Sequence, residues 1–253
     1  MLKTTVDKMQ VVVCDSNAAL GQQAAADFSD IVKRAVAEQG DIAVIFATGN
    51  SQLSFLSALR TKTDIPWNRI SAFHMDEYLG IAETHPGSFR RFLREKLTDV
   101  FQPREMFGMR GDAPDIQQEL VRYTALLEEH KPVLVVMGIG ENGHIAFNDP
   151  PADFKTREIV HIVSLDEKCR RQQVGEGHFA TLGDVPTKAI SLTVHALLQP
   201  LQAMALVPEA RKAPAIKAAL EGPVTESCPA SILRTQAHIR LYLDQDSASL
   251  VKL

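Results

Sequence analysis

Cysteine and long hydrophobic runs are scarce in this sequence of 253 residues. The three cysteines, Cys14, Cys169 and Cys228, lie far apart and form neither a metal-spaced cluster nor an even-numbered disulfide framework. We therefore expect reduced thiols. No apolar stretch approaches the roughly 20 residues that a membrane span needs. The first five residues lack the apolar core of a signal peptide, so we expect a cytoplasmic protein.

Positive charge is not in excess either. Lys and Arg number 27 against 31 Asp and Glu, a formal net charge of -4, which gives no reason to expect a binder of nucleic-acid backbones. The chain is 45% hydrophobic and 23% charged, as in an ordinary globular protein with a full core. No Pro/Gly/Ser-rich spacer, charge block or repeat divides it, so residues 1–253 are predicted to form a single domain.

Short apolar runs recur between amphipathic or polar stretches, which is typical of strands buried on both faces by helices. A helix is predicted after Ser16, its expected N-cap, and another over about residues 115–129. The predicted strands are residues 11–14, 42–47, 70–75, 133–137, 159–163, 203–207 and 239–243. This alternation predicts an α/β fold, a three-layer Rossmann-like domain with a mostly parallel sheet. Ligands of such sheets bind beyond the carboxyl ends of the strands.

Thr48, Gly49, Asn50 and Ser51 follow the second of these strands and precede a helix. Free backbone N–H groups, a glycine that allows close approach and two hydroxyls favour an anion site suited to phosphate. The loop is neither a Walker A motif nor the three-glycine dinucleotide fingerprint. The alternative is an ordinary turn capped by Ser51.

Asp76 and Glu77 come directly after the strand at residues 70–75. A carboxylate at the end of a buried strand is well placed to take a proton from a substrate, since burial raises its pKa. Asp76 is the candidate base. The alternative is that one or both acids cap a helix or face solvent.

Residues 137–150 place three glycines after a strand, then His144 between Asn142 and Asp149. An amide and a carboxylate are what is needed to fix the tautomer and orientation of an imidazole. So many polar residues close to apolar neighbours favour a catalytic role for His144 over a role in packing alone. Metal binding is not expected, because no His-x-x-x-His or Cys-x-x-Cys pair occurs.

Two pairs of basic residues, Arg170-Arg171 and Arg211-Lys212, are candidates for a phosphate. Lys212 follows a strand at the start of a helix, where its charge can reach a bound anion. The alternative for each of them is an exposed helix face.

In this order, these segments resemble the glucosamine-6-phosphate deaminase and isomerase family, which shares a fold with 6-phosphogluconolactonases. The likeness covers most of the chain, and its specific motifs are His85-Pro86-Gly87-Ser88-Phe89 and the run from Gly143 to Pro150. The resemblance implies an enzyme that converts an amino-sugar phosphate to a keto-sugar phosphate and ammonia, without a cofactor.

By the same resemblance, Asp76 moves a proton between C2 and C1 of the sugar, and His144 assists ring opening with Asn142 and Asp149 as its partners. The residues expected to contact the substrate are Thr48, Gly49, Asn50, Ser51, Glu77, Gly143, Arg171 and Lys212. This agrees with the interpretation of the residues themselves, since isomerisation needs a base over adjacent carbons and a separate acid/base near the ring oxygen.

The chain departs from the usual family pattern at two partners of the histidine. Asn142 stands where Asp is usual, and Asp149 stands where Glu is usual. Loss of a carboxylate at position 142 should make His144 easier to deprotonate. Asp149 keeps the charge on a side chain shorter by about 1.5 Å. These changes predict tuning for a different sugar or a lower activity.

Three functions are weighed. The first is a deaminase acting on a hexosamine 6-phosphate, the second a 6-phosphogluconolactonase, and the third a non-catalytic sugar-phosphate sensor. The run Gly-His-Ile-Ala-Phe-Asn-Asp-Pro (residues 143–150) is closer to the deaminases than to the lactonases. The expected partner is a small sugar phosphate, with neither nucleic acid nor membrane. The sugar epimer, homo-oligomer formation and regulation are left open.

Overall fold

The computed structural model describes all residues from Met1 to Leu253. An eight-stranded sheet forms its centre, in the order β1-β2-β11-β10-β7-β3-β4-β6. Seven of these strands run parallel, and only β1 at the edge is antiparallel to its neighbour. Its strands are β1 (Leu2–Val6), β2 (Met9–Cys14), β3 (Ile42–Phe46), β4 (Ile70–His74), β6 (Glu105–Phe107), β7 (Leu134–Met137), β10 (Gln202–Val207) and β11 (Ile239–Asp244). The predicted α/β class with a mostly parallel sheet is confirmed.

The central strands read as continuous apolar runs because both of their faces are buried. In β3, Val44 and Phe46 pack on the side of α1 (Asn17–Gln39) and α2 (Leu53–Leu59), whereas Ala43 and Ile45 pack on the opposite side. The period of two along a strand divides its side chains between the two cores. Helices therefore cover both faces of the sheet, and this gives the three layers.

The remaining helices are α3 (Phe89–Leu93), α4 (Asp99–Phe101), α5 (Ile116–His130), α6 (Glu167–Gly175), α7 (Val194–Leu197) and α8 (Ala213–Glu221), with a π-helical turn between α3 and α4. Ser16 caps α1 as predicted, because its hydroxyl accepts a hydrogen bond from the N–H of Ala19. Asp115 caps α5 in the same way through Gln118. None of the helices is long and apolar enough to cross a membrane. The three cysteines are unpaired.

A second, antiparallel sheet of three strands corrects one prediction. The strand predicted at residues 159–163 is present as β8 (Val160–Ser164), but it lies outside the single sheet that was expected: it pairs with β9 (Lys188–Leu192), which in turn pairs with β5 (Asp76–Tyr78). Along β8 the burial alternates, with Ile162 37% exposed. One face of this small sheet is solvated, as antiparallel sheets allow.

Tyr123 of α5 completes the hydrogen bonding at the end of β4. The last residue pair between β4 and β6 is Phe73 with Phe107, so His74 has no strand neighbour on that side. The Tyr123 hydroxyl takes the neighbour's place: it donates to the carbonyl of His74 at 2.8 Å and accepts from its N–H at 3.0 Å. These two hydrogen bonds fix the last residue of β4, two positions before Asp76.

The variant Tyr123→Phe should lower the free energy of unfolding by about 1–3 kcal/mol, since buried backbone groups of His74 lose their partner. Tyr78→Phe is the matched control, because the Tyr78 hydroxyl is equally buried and has no hydrogen-bond partner. Urea denaturation of both variants measures the difference. Equal losses in the two would contradict the role assigned to Tyr123.

Candidate active site

A cavity opens at the carboxyl ends of four adjacent strands, β10, β7, β3 and β4. Parallel strands bring their carboxyl ends to one edge of the sheet, so residues distant in the chain meet there. Seven of the residues proposed from the sequence line this cavity: Thr48, Gly49, Asn50, Ser51, Asp76, His144 and Lys212. The structure thus brings together the loop Thr48–Ser51, which we call the anion loop, the candidate base Asp76 and His144.

The loop Thr48–Ser51 presents polar groups to the cavity. Gly49 has φ +93°, a conformation that side chains rarely adopt, and the N–H groups of Thr48 and Gly49 donate to no group of the chain. Ser51 does not cap the helix that follows; its hydroxyl accepts a hydrogen bond from the Gln52 amide at 3.0 Å. The loop has donors to offer to an anionic ligand.

Lys212 ends a short 3-10 turn ahead of α8 and is 4% exposed. Its ammonium group makes no hydrogen bond or ion pair with the chain. Burial lowers the pKa of Lys212, and the nearby Glu176 carboxylate offsets part of that shift. A buried lysine without a direct partner is a binding site for an anion.

Asp76 is 6% exposed, and its carboxylate accepts no hydrogen bond from the chain. Burial raises the pKa of Asp76 well above its usual value, and the negative charge of the adjacent Glu77 raises it further. A carboxylate that is poorly solvated and unpaired is a strong base for a proton on a bound molecule.

Glu77 does not reach the cavity, which corrects its assignment as a substrate contact. The side chain is fully buried and accepts hydrogen bonds from the N–H groups of Tyr78, Phe89 and Arg90 and from the Ser88 hydroxyl. Three of these donors lie at the start of α3. Glu77 therefore fixes the beginning of this helix, where Phe89 lines the cavity.

The carboxylate of Asp149 contacts the imidazole of His144 on the side away from the cavity. Its Nδ1 lies 3.0 Å from Oδ1 of Asp149, so the Nε2 atom is the one left for a ligand. Gly140 makes room for the ring, since a Cβ at that position would lie 2.3 Å from its Cε1. The shorter carboxylate of Asp149 thus still reaches the imidazole.

Asn142 joins two carboxylates. Its Nδ2 donates to Asp149 at 2.9 Å and to Asp166, the N-cap of α6, at 3.0 Å, while its Oδ1 accepts from the N–H of His144. Burial raises the pKa of Asp149, but hydrogen bonds from His144 and Asn142 outweigh it and lower the pKa below the usual value. Asn142 and Asp149 stand behind His144 and do not line the cavity.

Two further expected contacts lie outside the cavity. Arg171 is on the outer face of α6, where its guanidinium pairs with Glu167 and its side chain is 66% exposed. Gly143 is buried with φ +85°, in the turn that carries His144. Sequence reasoning missed the neighbours of Arg171 on the inner face of this segment, Gln172, Gln173 and Glu176, which do line the cavity. The helical spacing of Gln172, Gln173 and Glu176, which places them on a different face from Arg171, was the signal in the sequence that could have identified them.

Metal-ligand atoms of His144, Asp149 and Cys169 lie within 4.8 Å of one another. Burial raises the pKa of the Cys169 thiol strongly, and the neighbouring Asp149 carboxylate raises it further. A metal site would need the thiolate.

Asn142→Asp should destabilise this chain. The variant loses the amide that bridges two carboxylates and puts a third negative charge between them, so the pKa of Asp149 in the folded state rises. Because a raised folded-state pKa favours folding only at low pH, the deficit relative to wild type should grow between about pH 4 and pH 7. Urea denaturation at these two pH values measures it. A deficit independent of pH would contradict the bridging role.

Comparison with known proteins shows which family the chain resembles. Residues 15–242 match the model of the family described as glucosamine-6-phosphate isomerases/6-phosphogluconolactonase. A glucosamine-6-phosphate deaminase of Exiguobacterium sibiricum is 35% identical over 205 residues, covering 81% of this chain and 79% of the relative. The enzyme of the same name from Bacillus cytotoxicus is 30% identical over 242 residues, covering 96% and 89%.

Solved structures give the same result. A monomeric glucosamine-6-phosphate deaminase superposes with a TM-score of 0.87 at 28% identity, covering 95% of this chain and 99% of that one. A 6-phosphogluconolactonase from Shewanella baltica superposes with a TM-score of 0.76 at 20% identity, covering 96% and 99%, a likeness of fold alone. By the match of nearly its whole length, the chain belongs to the glucosamine-6-phosphate isomerase/6-phosphogluconolactonase family.

Proposed function

We propose that the protein converts a hexosamine 6-phosphate, with glucosamine 6-phosphate as the first candidate, and water to a ketohexose 6-phosphate and ammonia. The observation that carries this proposal is the placement of an unpaired, buried carboxylate, Asp76, and an oriented imidazole, His144, in one cavity with an anion loop. The relatives named glucosamine-6-phosphate deaminase support it.

His144 suits the opening of the sugar ring. Asp149 at Nδ1 holds the imidazole in the tautomer with the lone pair on Nε2. That atom takes the proton of the C1 hydroxyl and returns a proton to the ring oxygen as the C1–O5 bond breaks. The product of this step is the open-chain aldehyde.

Asp76 suits the transfer of hydrogen between the two carbons. Its carboxylate removes the proton from C2 while the aldehyde oxygen takes a proton from the ammonium group of the substrate, giving an enolamine, and the C2 proton is then delivered to C1. The resulting iminium at C2 is hydrolysed by water, which leaves the ketone and releases ammonia as ammonium. The high basicity that burial gives to Asp76 favours the first of these steps.

The anion loop and Lys212 suit the 6-phosphate. Free N–H groups of Thr48 and Gly49 and the buried ammonium of Lys212 supply donors and charge at one place in the cavity. A phosphate fixed there would orient the sugar toward His144 and Asp76 at the same edge of the sheet.

A 6-phosphogluconolactonase is the alternative, since a histidine in the same cavity can activate water against a lactone. The structural likeness to lactonases extends to the fold. That reaction gives no role to the unpaired carboxylate of Asp76, so the deaminase is favoured. Release of acid from 6-phosphogluconolactone without release of ammonia from any hexosamine 6-phosphate would reverse the preference.

Replacement of Asp76 by Asn should lower ammonia release from glucosamine 6-phosphate by a factor of about 10²–10⁴, the usual contribution of a general base. Substrate binding should remain, because Asn has nearly the same shape. Coupled detection of fructose 6-phosphate and ammonia gives the rate, and calorimetric titration gives the affinity. Asp99→Asn, at an exposed position of α4, is the control. Retained turnover in the Asp76 variant would remove the base from the mechanism.

On acidification, the value of kcat should begin to fall at a pH clearly above 3.9, which is about the pKa of an ordinary aspartate. Asp76 works as a carboxylate, and its raised pKa means that a proton neutralises it already at mildly acidic pH. The profile of kcat is the one to measure, because the phosphate of the free substrate itself titrates near pH 6. A constant kcat down to about pH 4.5 would speak against Asp76.

A further inference from the structure

Glu176 places a negative charge at the phosphate end of the cavity. It follows directly after α6, and its side chain is 6% exposed. A Cβ built on Gly49 would lie 3.6 Å from Oε2 of Glu176, so the carboxylate faces the anion loop itself. It also lines the same cavity as Lys212.

The carboxylate is held in this position by several partners. Oε1 accepts a hydrogen bond from the Gln172 amide at 2.8 Å and lies 3.2 Å from the guanidinium of Arg211, while Oε2 lies 3.4 Å from Nε2 of His178. Burial raises the pKa of Glu176, but the hydrogen bond from His178 and the charge of Lys212 outweigh it and lower the pKa to about 2. Glu176 is therefore charged throughout the working pH range.

The cavity leaves little room beside this carboxylate. Its volume is about 70 Å³ between the lining side chains. A phosphate bound against the loop would lie beside this carboxylate, whose interactions with Lys212 and Arg211 are the ones that a phosphate would take over.

We propose that Glu176 is a specificity-determining residue, whose carboxylate competes with the phosphate of the sugar for the Thr48–Ser51 loop and Lys212. The proposal rests on the proposed function, in which this loop binds the 6-phosphate. Two consequences follow. The site gains less from a phosphate than its cations alone would give, and this deficit grows as the phosphate passes from monoanion to dianion near pH 6, because the repulsion from Glu176 grows with the charge of the phosphate.

Calorimetric titration with glucosamine 6-phosphate, inorganic phosphate and glucosamine tests this in wild type, Glu176→Gln and Glu176→Ala. Both variants should bind the two phosphates at least tenfold more tightly than wild type and glucosamine within twofold. Between pH 5.5 and 7.5, as the phosphate becomes a dianion, the affinity for the phosphates should rise more steeply in Glu176→Gln than in wild type. Thermal denaturation verifies that each variant is folded.

Glu167→Gln is the matched control, since it removes one negative charge from the exposed face of the same helix. It should bind all three ligands as wild type does. Weaker or unchanged phosphate binding in both Glu176 variants would overturn the proposal and make Glu176 a support for Arg211 and Lys212. The same tightening in Glu167→Gln would overturn it by assigning the effect to overall charge. Absence of ammonia release with the tightening intact would instead contradict only the proposed function.

Discussion

Removal of charged side chains from water is the constraint on which the whole site depends. A buried charge is tolerated when it is paired or hydrogen-bonded, and Asp149, Glu176 and Glu77 each have several partners. Asp76 has none, although it is as deeply buried. The surrounding pairs keep the site folded, and the one carboxylate left unpaired is the group that we propose as the base. The proposed reactivity of Asp76 thus comes from its lack of water and hydrogen-bond partners, whereas the neighbouring buried carboxylates are all hydrogen-bonded.

The same hydrogen bonds connect the imidazole to the helix that covers the cavity. One oxygen of Asp149 faces His144, and the other accepts from the N–H of Asp166, the N-cap of α6. Asn142 connects both carboxylates. The position of α6, and with it the position of Glu176, is thus tied to the orientation of the histidine. An asparagine at position 142 suits this connection, because its amide supplies the donor that two neighbouring carboxylates need.

The sequence predicted the central strands well, because a run buried on both faces is apolar without interruption. It did not reveal β5, since Asp76 and Glu77 are charged, or β6, whose residues are exposed or half-buried. The loop at residues 48–51, Asp76 and His144 were found because each follows a strand of the main sheet. Glu77 and Arg171 were misplaced because charge alone does not distinguish a side chain that faces a cavity from one that is buried below it or faces solvent. Glu176 lies after a helix outside that sheet, where the rule about strand ends does not apply.

Gly140 supplies no functional group, yet the histidine depends on it. A Cβ at this position would occupy the space of the imidazole itself, so every other amino acid displaces the ring. In mutational terms, position 140 behaves as part of the active site. Sequence variation in a lineage that keeps the activity is therefore restricted there as strictly as at His144, and an engineered library gains nothing from randomising it.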